Sequence, residues 1–383
     1  MKGRLLVYDR DPATGQGLAA LSVDGRLSEL DVSSPVSPQV GGEASPGGIF
    51  RGAVTRLLNG AAFIDLGSGL SGFLPKAEGL REGERLLVEV VRPAEASKAA
   101  RLSRRLSLPY RKVVLTVGAP GVNVSKAIGE EAERERLKQI ADAALKPALS
   151  QLGAVDDKGI GLVVRSAAEG STAEALAHSI AQASARLGRM LSSCETGLLV
   201  PPWQSFDLAL VDWSHPTPRR ILVPLADAER LRERTRQLAP ELADRVEGSA
   251  GSPLSDAGLD TDLQSVVSPR VALAQGDVVL HRNEALIAID VNAGDTKSIG
   301  AVNRAAAVEI PRQLRLRGWG GMVVIDFAGT NEAERPALVA ALKAAGGADW
   351  RIAGWGPLGL LEATLPRRKH PVEEILPADW PTA

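Results

Sequence analysis

The sequence has 383 residues, enough for two to four domains, and its 44% hydrophobic and 24% charged content is typical of a globular protein rather than a disordered one. Its 45 basic and 46 acidic residues give a formal net charge of −1, which excludes nucleic-acid binding through global basicity but not through a local patch. The single cysteine, Cys194, excludes an intrachain disulfide and a cysteine zinc cluster.

The N-terminus gives the first indication of location. Residues 1–9 lack the long apolar core and the small-residue cleavage site of a secretory signal. No apolar run in the chain approaches the roughly 18 residues that a membrane span needs. We therefore expect a cytoplasmic protein that does not enter a membrane.

Short strands and glycine-rich turns dominate the first quarter of the chain. Residues 1–34 predict a β-hairpin region, and 35–48, rich in Pro, Gly and Ser, predict a linker. Between 49 and 91, short strands with no helical period favour a small β-barrel. Gly67–Gly72 matches the G-x-G-x-x-G dinucleotide pattern, but Phe73-Leu-Pro75 follows it instead of a helix, so these glycines predict a hairpin turn.

A basic stretch follows the predicted barrel. Residues 98–112 carry six basic side chains and no acidic one. Such a stretch is either a solvated face or a contact for phosphates, and its composition alone leaves both interpretations open.

The middle of the chain alternates helices and strands. Residues 126–150 predict a helix and 159–164 a buried strand, and Ser171-Thr-Ala-Glu174 has the form of a capping box that opens a helix through about Ser192. Cys194, after that helix, is interpreted as a packing residue.

Arg165 and Ser166 stand between that strand and the capped helix. A guanidinium, a hydroxyl and helix-end amides together suit a phosphate. A plain strand–turn–helix connection explains the same residues, and both interpretations remain open at this point.

The rest of the chain reads as an α/β pattern. Residues 206–212 and 219–224 predict strands, 226–247 a helix and 248–268 a loop. Strands are then predicted at 284–291 and 321–327, and helices at 302–317 and 332–345.

Carboxylates end the two apolar strands of this last part. Asp290 and Asp326 each follow an isoleucine at a strand end, and Asn292 lies two residues after Asp290, on the same side of an extended chain. Each aspartate could be a cap or a solvated edge. Two of them in one α/β unit suggest convergent carboxylates, which are ligands that Mg²⁺ prefers.

The chain resembles the ribonuclease E/G family. Residues 284–294 resemble its first catalytic strand, and 309–327 resemble its most characteristic segment. Residues 238–246 and 271–277 match it in the same order. The chain is therefore expected to be a short form of this family that lacks the zinc-link cysteines and the C-terminal scaffold region.

The resemblance implies a multi-subdomain α/β fold, with an S1/OB-type β-barrel inserted in an RNase H-like subdomain. The implied order is the first part of the RNase H-like subdomain (1–34), the S1/OB-type RNA-binding domain (35–112), a 5′-sensor region (113–202), the second part of the RNase H-like subdomain (203–275) and a DNase I-like catalytic subdomain (276–383).

The resemblance also implies roles for single residues. Asp290 and Asp326 would hold Mg²⁺, and Asn292 would orient one of them. Phe63, Phe73 and Lys98 would contact single-stranded RNA, although both phenylalanines could instead be barrel core. Arg165 and Ser166 would sense a 5′-phosphate beside Val114.

Several features depart from the family pattern. The cysteines of a subunit-bridging zinc are absent, so the remaining dimeric arrangement is a homodimer without a zinc link. Asp290 and Asp326 are only 36 residues apart, Pro311 falls inside the helix between them, and Ala-Gly-Thr330 follows Phe327.

The family assignment leaves three functions to be compared. The favoured one is a Mg²⁺-dependent endoribonuclease that cleaves single-stranded RNA, prefers 5′-monophosphorylated substrates and leaves 5′-phosphate and 3′-hydroxyl ends. One alternative is an RNA-binding protein of the same fold with a weakened or inactive catalytic site, which Pro311 and the shortened segment between the two aspartates favour. The other is a metal-dependent hydrolase of another phosphodiester.

Overall fold

The computed structural model of the protein describes residues 3–11, 15–33, 44–94, 98–150 and 159–376, so most of the predicted linker (35–43) lies outside the described residues. The strands are β1 (Arg4–Arg10), β2 (Gly17–Val23), β3 (Arg26–Val32), β4 (Ile49–Leu58), β5 (Ala61–Gly67), β6 (Leu70–Pro75), β7 (Arg85–Arg92), β8 (Ala100–Ser103), β9 (Leu106–Pro109), β10 (Val113–Val117), β11 (Gly121–Val124), β12 (Ile160–Val164), β13 (Gly197–Val200), β14 (Arg220–Pro224), β15 (Val246–Ser249), β16 (Arg270–Ala272), β17 (Asp277–Arg282), β18 (Leu286–Asn292), β19 (Gly321–Asp326), β20 (Arg351–Trp355) and β21 (Leu361–Leu365).

The α-helices are α1 (Glu131–Ser150), α2 (Ala173–Ser192), α3 (Ser205–Leu208), α4 (Ala228–Leu238), α5 (Pro253–Asp256), α6 (Asp260–Val267), α7 (Ile299–Arg317), α8 (Arg335–Gly346) and α9 (Val372–Ile375). No helix within the described ranges combines the length and the apolar character needed to cross a membrane. The chain divides into two units, one built from 4–17 and 44–250 and the other from 18–33 and 251–376.

A closed β-barrel forms the first part of the larger unit. Its strands run in the order β4-β5-β6-β8-β7, and the pairing of β4 with β7 closes the ring. The tight turn between β5 and β6 places Ser68 and Gly69 at positive φ, which confirms the predicted hairpin turn. The barrel predicted from the sequence is confirmed, and it is consistent with an OB-type barrel.

A four-stranded sheet, β11-β12-β10-β9, follows the barrel and packs against α1 and α2. Helix α1 begins at Glu131, later than predicted. Helix α2 is capped by the Thr172 hydroxyl, which accepts from the Ala175 N–H, so the cap lies one residue later than the predicted capping box placed it. Cys194 is exposed, and the prediction that it packs in the core was wrong.

Three parallel strands complete this unit. Strand β1 pairs with β14, and β14 pairs with β15, so the barrel and the four-stranded sheet lie in a long excursion of the chain between β1 and β14. The predicted strand 206–212 was wrong: α3 and a π-helical turn (Ala209–Trp213) occupy it. The reason is visible in the burial of Phe206, Ala209, Leu210 and Trp213, whose spacing follows the helical period.

Two further predictions for residues 226–268 need correction. The predicted helix 226–247 ends at Leu238, because Pro240 follows closely and Val246 begins β15. The predicted loop 248–268 contains α5 and α6; the Ser252 hydroxyl caps α5, and Pro253 occupies its first turn.

The smaller unit contains the hairpin β2–β3 and a six-stranded sheet in the order β16-β17-β18-β19-β21-β20. Strands β18 and β19 are parallel and are joined through α7, as in a crossover connection. One face of the sheet is buried: Ile287, Ile289, Val323 and Ile325 share a hydrophobic core with residues of α7 and α8. The alternation along β18 and β19 leaves the other face open.

A buried ion cluster holds α7 against β3. The Glu309 carboxylate, 8% exposed, accepts from the Arg312 guanidinium at 2.6 Å and from the Gln313 amide at 2.9 Å, and pairs with Arg26 at 3.0 Å. Arg312 also donates to the Leu27 carbonyl at 2.6 Å. All five residues belong to α7 or β3, so the characteristic segment beginning at residue 309 has a structural role.

Candidate functional site

The two predicted catalytic carboxylates lie side by side. Asp290 and Asp326 are register partners at the ends of β18 and β19, and both are exposed on the open face of the sheet. Neighbouring strands lie about 4.8 Å apart. The structure therefore brings together the two aspartates that the sequence separates by 36 residues.

Asn292 connects Asp290 to a carboxylate that sequence reasoning missed. Its Nδ2 donates to Asp290 Oδ2 at 3.0 Å and to Asp277 Oδ1 at 3.2 Å. Asp277 lies on β17, directly opposite Asn292, and pairs with Arg270 at 2.6 Å. The only sequence signal for Asp277 was its place at the end of a matched segment.

The donor set at this edge fits Mg²⁺. Magnesium is held in proteins by one or two carboxylates and completes its coordination with water and substrate phosphate. Within the described ranges, neither Asp290 nor Asp326 forms an ion pair with a basic side chain, and no group of three or more His, Cys, Asp or Glu residues could hold a metal. Two adjacent exposed carboxylates provide the one or two protein ligands that Mg²⁺ needs.

The departures from the family pattern leave this arrangement in place. Helix α7 continues through Pro311, which is buried about 18 Å along the helix from Ile299 at 1.5 Å per residue. The loop after Asp326 is held by the Asn303 amide, which donates to the Ala328 carbonyl at 2.8 Å. Neither the short inter-aspartate segment nor the proline separates the carboxylates.

An aromatic–basic row crosses the outer face of the barrel. Arg56, Phe63, Phe73 and Arg101 are successive register partners on β4, β5, β6 and β8. The Phe63 and Phe73 ring centroids are 5.8 Å apart, and the Arg56 guanidinium lies 4.9 Å from the Phe63 centroid. Arg56 and Arg101 are exposed and the two rings are half-exposed.

This placement shows that the two phenylalanines are not part of the barrel core. Their neighbours Ala62, Ile64 and Leu74 belong to the barrel core, whereas Phe63 and Phe73 do not. Lys98, the third predicted RNA contact, is exposed two residues before β8 and lies outside the row. Sequence reasoning missed Arg56 and Arg101 because only cross-strand register places them beside the rings.

Arg165 extends the ladder between β12 and β10. Its N–H donates to the Lys112 carbonyl at 2.8 Å, and Val114 is the register partner of Val163, so the Val114 and Arg165 side chains share one face. Ser166 follows at the start of a 3₁₀ turn. The three predicted sensor residues are therefore close together.

Three of the five Arg165 N–H groups have partners within the protein. Nη1 donates to the Tyr110 and Val211 carbonyls, each at 3.1 Å, and Nη2 pairs with Asp212 at 2.7 Å. Among the residues that the structure describes, the Nε–H and one Nη2–H have no partner, so both could donate to an anion.

Fewer helix-end amides are available to a phosphate beside Arg165 than the sequence suggested. The Thr172 hydroxyl caps α2, and Glu133 accepts from the Gly170 N–H at 2.9 Å. Hydrogen bonds from the Arg136 side chain and the Gly170 amide lower the pKa of Glu133 to about 2, so this carboxylate stays charged there. An anion beside Arg165 would find those amides occupied.

Two residues of the basic stretch lie beside Arg165. Arg111 is buried: its Nη1 pairs with Glu241 at 2.6 Å, and its Nε donates to Ser214 Oγ at 2.6 Å. Burial lowers the pKa of Arg111, and the charge of Arg165 lowers it further, while Glu241 opposes both effects. Lys112 pairs with Glu241 at 3.5 Å. The stretch 98–112 is therefore divided between the barrel face and this cluster.

Comparison with known proteins gives the same family by two routes, a family model and individual relatives. A model of the ribonuclease E/G family matches residues 107–369, a span that includes Arg165, Asp290 and Asp326. Ribonuclease G from Salmonella typhimurium (strain SL1344) is 31% identical, with 88% of this chain and 76% of the relative covered. Ribonuclease G from Escherichia coli (strain K12) is 30% identical with the same coverage. Ribonuclease E from Haemophilus influenzae is 32% identical over 80% of this chain and 35% of the relative.

Proposed function

The chain belongs to the ribonuclease E/G family, and from that premise we propose that it is a Mg²⁺-dependent endoribonuclease that cleaves single-stranded RNA in RNA processing or decay. It prefers substrates with a 5′-monophosphate and leaves 5′-phosphate and 3′-hydroxyl ends. The names of the relatives support the endoribonuclease activity.

The observation that carries the proposal is the register pairing of Asp290 with Asp326. Asp290 and Asp326 would hold Mg²⁺, and Asn292 fixes the orientation of the Asp290 carboxylate through its hydrogen bond. When bound, Mg²⁺ supplies an activated water molecule and stabilises the charge that develops on the attacked phosphate. The exposed position of both carboxylates leaves room for an RNA strand.

A cleavage assay tests the proposal. A 5′-monophosphorylated, AU-rich single-stranded RNA with an internal label is incubated with the protein in Mg²⁺ or in EDTA. We expect internal cleavage only with Mg²⁺, and downstream products that a 5′-phosphate-dependent exonuclease degrades. RNA that is retarded on a gel but not cut would indicate a binding protein of the same fold. Cleavage of another phosphodiester that single-stranded RNA does not inhibit would indicate a different hydrolase.

The aromatic–basic row is proposed to bind the RNA, together with Lys98. Stacking on an aromatic side chain is worth about 1–3 kcal/mol per base. Phe63→Ala and Phe73→Ala are therefore each expected to raise the Kd for single-stranded RNA by about 5- to 150-fold in fluorescence anisotropy. Wild-type affinity in both variants would remove the row from the RNA-binding surface.

The two arginines of the row are expected to act on RNA phosphates. Each phosphate contact to a single strand contributes about 0.7 to the slope of log affinity against log salt. Arg56→Ala and Arg101→Ala should each lower that slope by about this amount. Arg85→Ala is the matched control, because Arg85 is exposed on β7 of the same barrel outside the row.

Arg165 is proposed to bind the 5′-phosphate with Ser166, beside Val114. A hydrogen bond between charged groups is worth about 1.5–3 kcal/mol, so Arg165→Ala should lower the ratio of kcat/KM for 5′-monophosphate over 5′-hydroxyl RNA by about tenfold or more. The ratio cancels a general loss of folded protein. Arg189→Ala, an exposed arginine on α2, is the control. A ratio unchanged in Arg165→Ala would refute the sensor assignment.

A further inference from the structure

We propose that Asp277 is a positioning residue of the catalytic edge, acting on Asp290 through Asn292. The inference rests on the proposed function, because it concerns the same carboxylates. A primary amide has two N–H donors, and Asn292 directs its amide nitrogen at two carboxylates, Asp290 Oδ2 at 3.0 Å and Asp277 Oδ1 at 3.2 Å. Rotating the amide by half a turn would place its carbonyl oxygen against both negative charges. Asp277 therefore restricts the amide to one orientation.

The backbone holds Asp277 in this position. Asp277 is the register partner of Asn292 on β17. The preceding residue, Gly276, has φ +73°, and a Cβ there would lie 2.1 Å from the Asn292 carbonyl oxygen. Only glycine permits this close approach. The Gly-Asp pair thus fits directly against Asn292.

Arg270 completes the chain of contacts. Its Nη1 donates to Asp277 Oδ1 at 2.6 Å, the same oxygen that accepts from Asn292. The cation offsets the charge of Asp277, so a further carboxylate is tolerated beside Asn292 and its partner Asp290. Because Asp277 Oδ1 already accepts from both Arg270 and Asn292, we place Asp277 behind Asn292 as a positioning residue.

Fixing the Asn292 amide is expected to affect how tightly Asp290 binds a metal ion. With the amide fixed, Asp290 Oδ2 is engaged and Oδ1 is left for the metal. Residues that orient metal ligands typically change affinity or activity by about 10- to 100-fold when they are removed. Asp277→Ala is therefore expected to weaken divalent-metal binding by about tenfold and to raise the Mg²⁺ concentration for half-maximal cleavage by the same factor. Asp277→Asn keeps one oxygen that can accept from both Arg270 and Asn292, and should restore both values to near wild type.

Direct titration with Mn²⁺, followed by electron paramagnetic resonance without RNA, tests the inference. Wild type and Asp290→Ala are compared first, and equal Mn²⁺ binding by these two would refute the metal site and the inference together. With that difference established, wild-type Mn²⁺ affinity in Asp277→Ala would refute the inference alone. A tenfold loss in Asp277→Ala that Asp277→Asn rescues would support it. A purely structural role would lower the Tm of Asp277→Ala without changing Mn²⁺ affinity in the folded protein.

Discussion

Replacing Asp290 or Asp326 with asparagine is expected to lower kcat for RNA cleavage by about 10³-fold while changing the Kd for single-stranded RNA by less than about threefold. A metal that stabilises developing charge contributes several kcal/mol to the transition state, and each 1.36 kcal/mol corresponds to a factor of ten. The affinity is proposed to come from the aromatic–basic row, which these substitutions leave unchanged. Single-turnover cleavage and fluorescence anisotropy on the same preparations give the two values.

The same substitutions are also expected to affect the melting temperature. Asp290 and Asp326 face each other across two strands, and like charges in that position destabilise a sheet by up to about 1 kcal/mol. Both variants are therefore expected to melt at or above the wild-type Tm. Asp349→Asn, which removes an exposed carboxylate paired with Arg368, is the control and should keep full activity. Full cleavage by either catalytic variant would contradict the metal assignment.

Glu309→Ala is expected to lower the free energy of unfolding by about 3 kcal/mol, because it removes the nearest partner of a buried cation. The cation is Arg312, whose side chain is 13% exposed. The cation keeps a longer ion pair with the Asp262 carboxylate, at 3.3 Å, which limits the loss. Urea denaturation at pH 7 measures the change, with Asp349→Ala as the exposed-pair control, expected below about 1 kcal/mol. The double variant Glu309→Leu with Arg312→Met should recover part of the loss, since it removes both charges and leaves Asp262 only its hydrogen bond from the Leu27 N–H at 2.7 Å among the contacts described for its carboxylate.

The contribution of Glu309 depends on pH in a defined direction. Burial raises the pKa of its carboxyl, but hydrogen bonds from Arg312 and Gln313 and the charges of Arg312 and Arg26 outweigh burial and lower the pKa overall. The folded state therefore favours the ionised form, and its contribution is complete above the unfolded pKa of about 4.3. The difference in the free energy of unfolding between wild type and Glu309→Gln should stay constant down to that pH and become smaller as the pH falls further. A difference that grows in acid would contradict this assignment.

The parts of the fold that followed from sequence are those governed by local pattern. The barrel, the hairpin turn at Ser68 and Gly69, and the β18–α7–β19 connection were all predicted, since strand alternation and turn residues report on them directly. The helical turns at 206–213 were missed because a short apolar run fits either period. The helical spacing of the buried residues could be recognised only once the structure showed which of them are buried.

The residues of the candidate site likewise divide into those that the sequence could indicate and those that it could not. Asp290, Asn292 and Asp326 could be named from the sequence because each stands at a strand end. Asp277 and Arg101 could not, since each gains its role from a partner on a neighbouring strand. The functional assignments of all five residues remain predictions until the variants are measured.

The pairing of β1 with β14 also has a consequence for synthesis. The parallel partner of β1 leaves the ribosome more than 200 residues after β1 itself, which takes about 10–40 s at 5–20 residues per second. The barrel strands all lie within residues 49–103, and their contacts are complete long before then. The barrel is thus free to fold early on the nascent chain, whereas the β1–β14 ladder is a late, high-contact-order event.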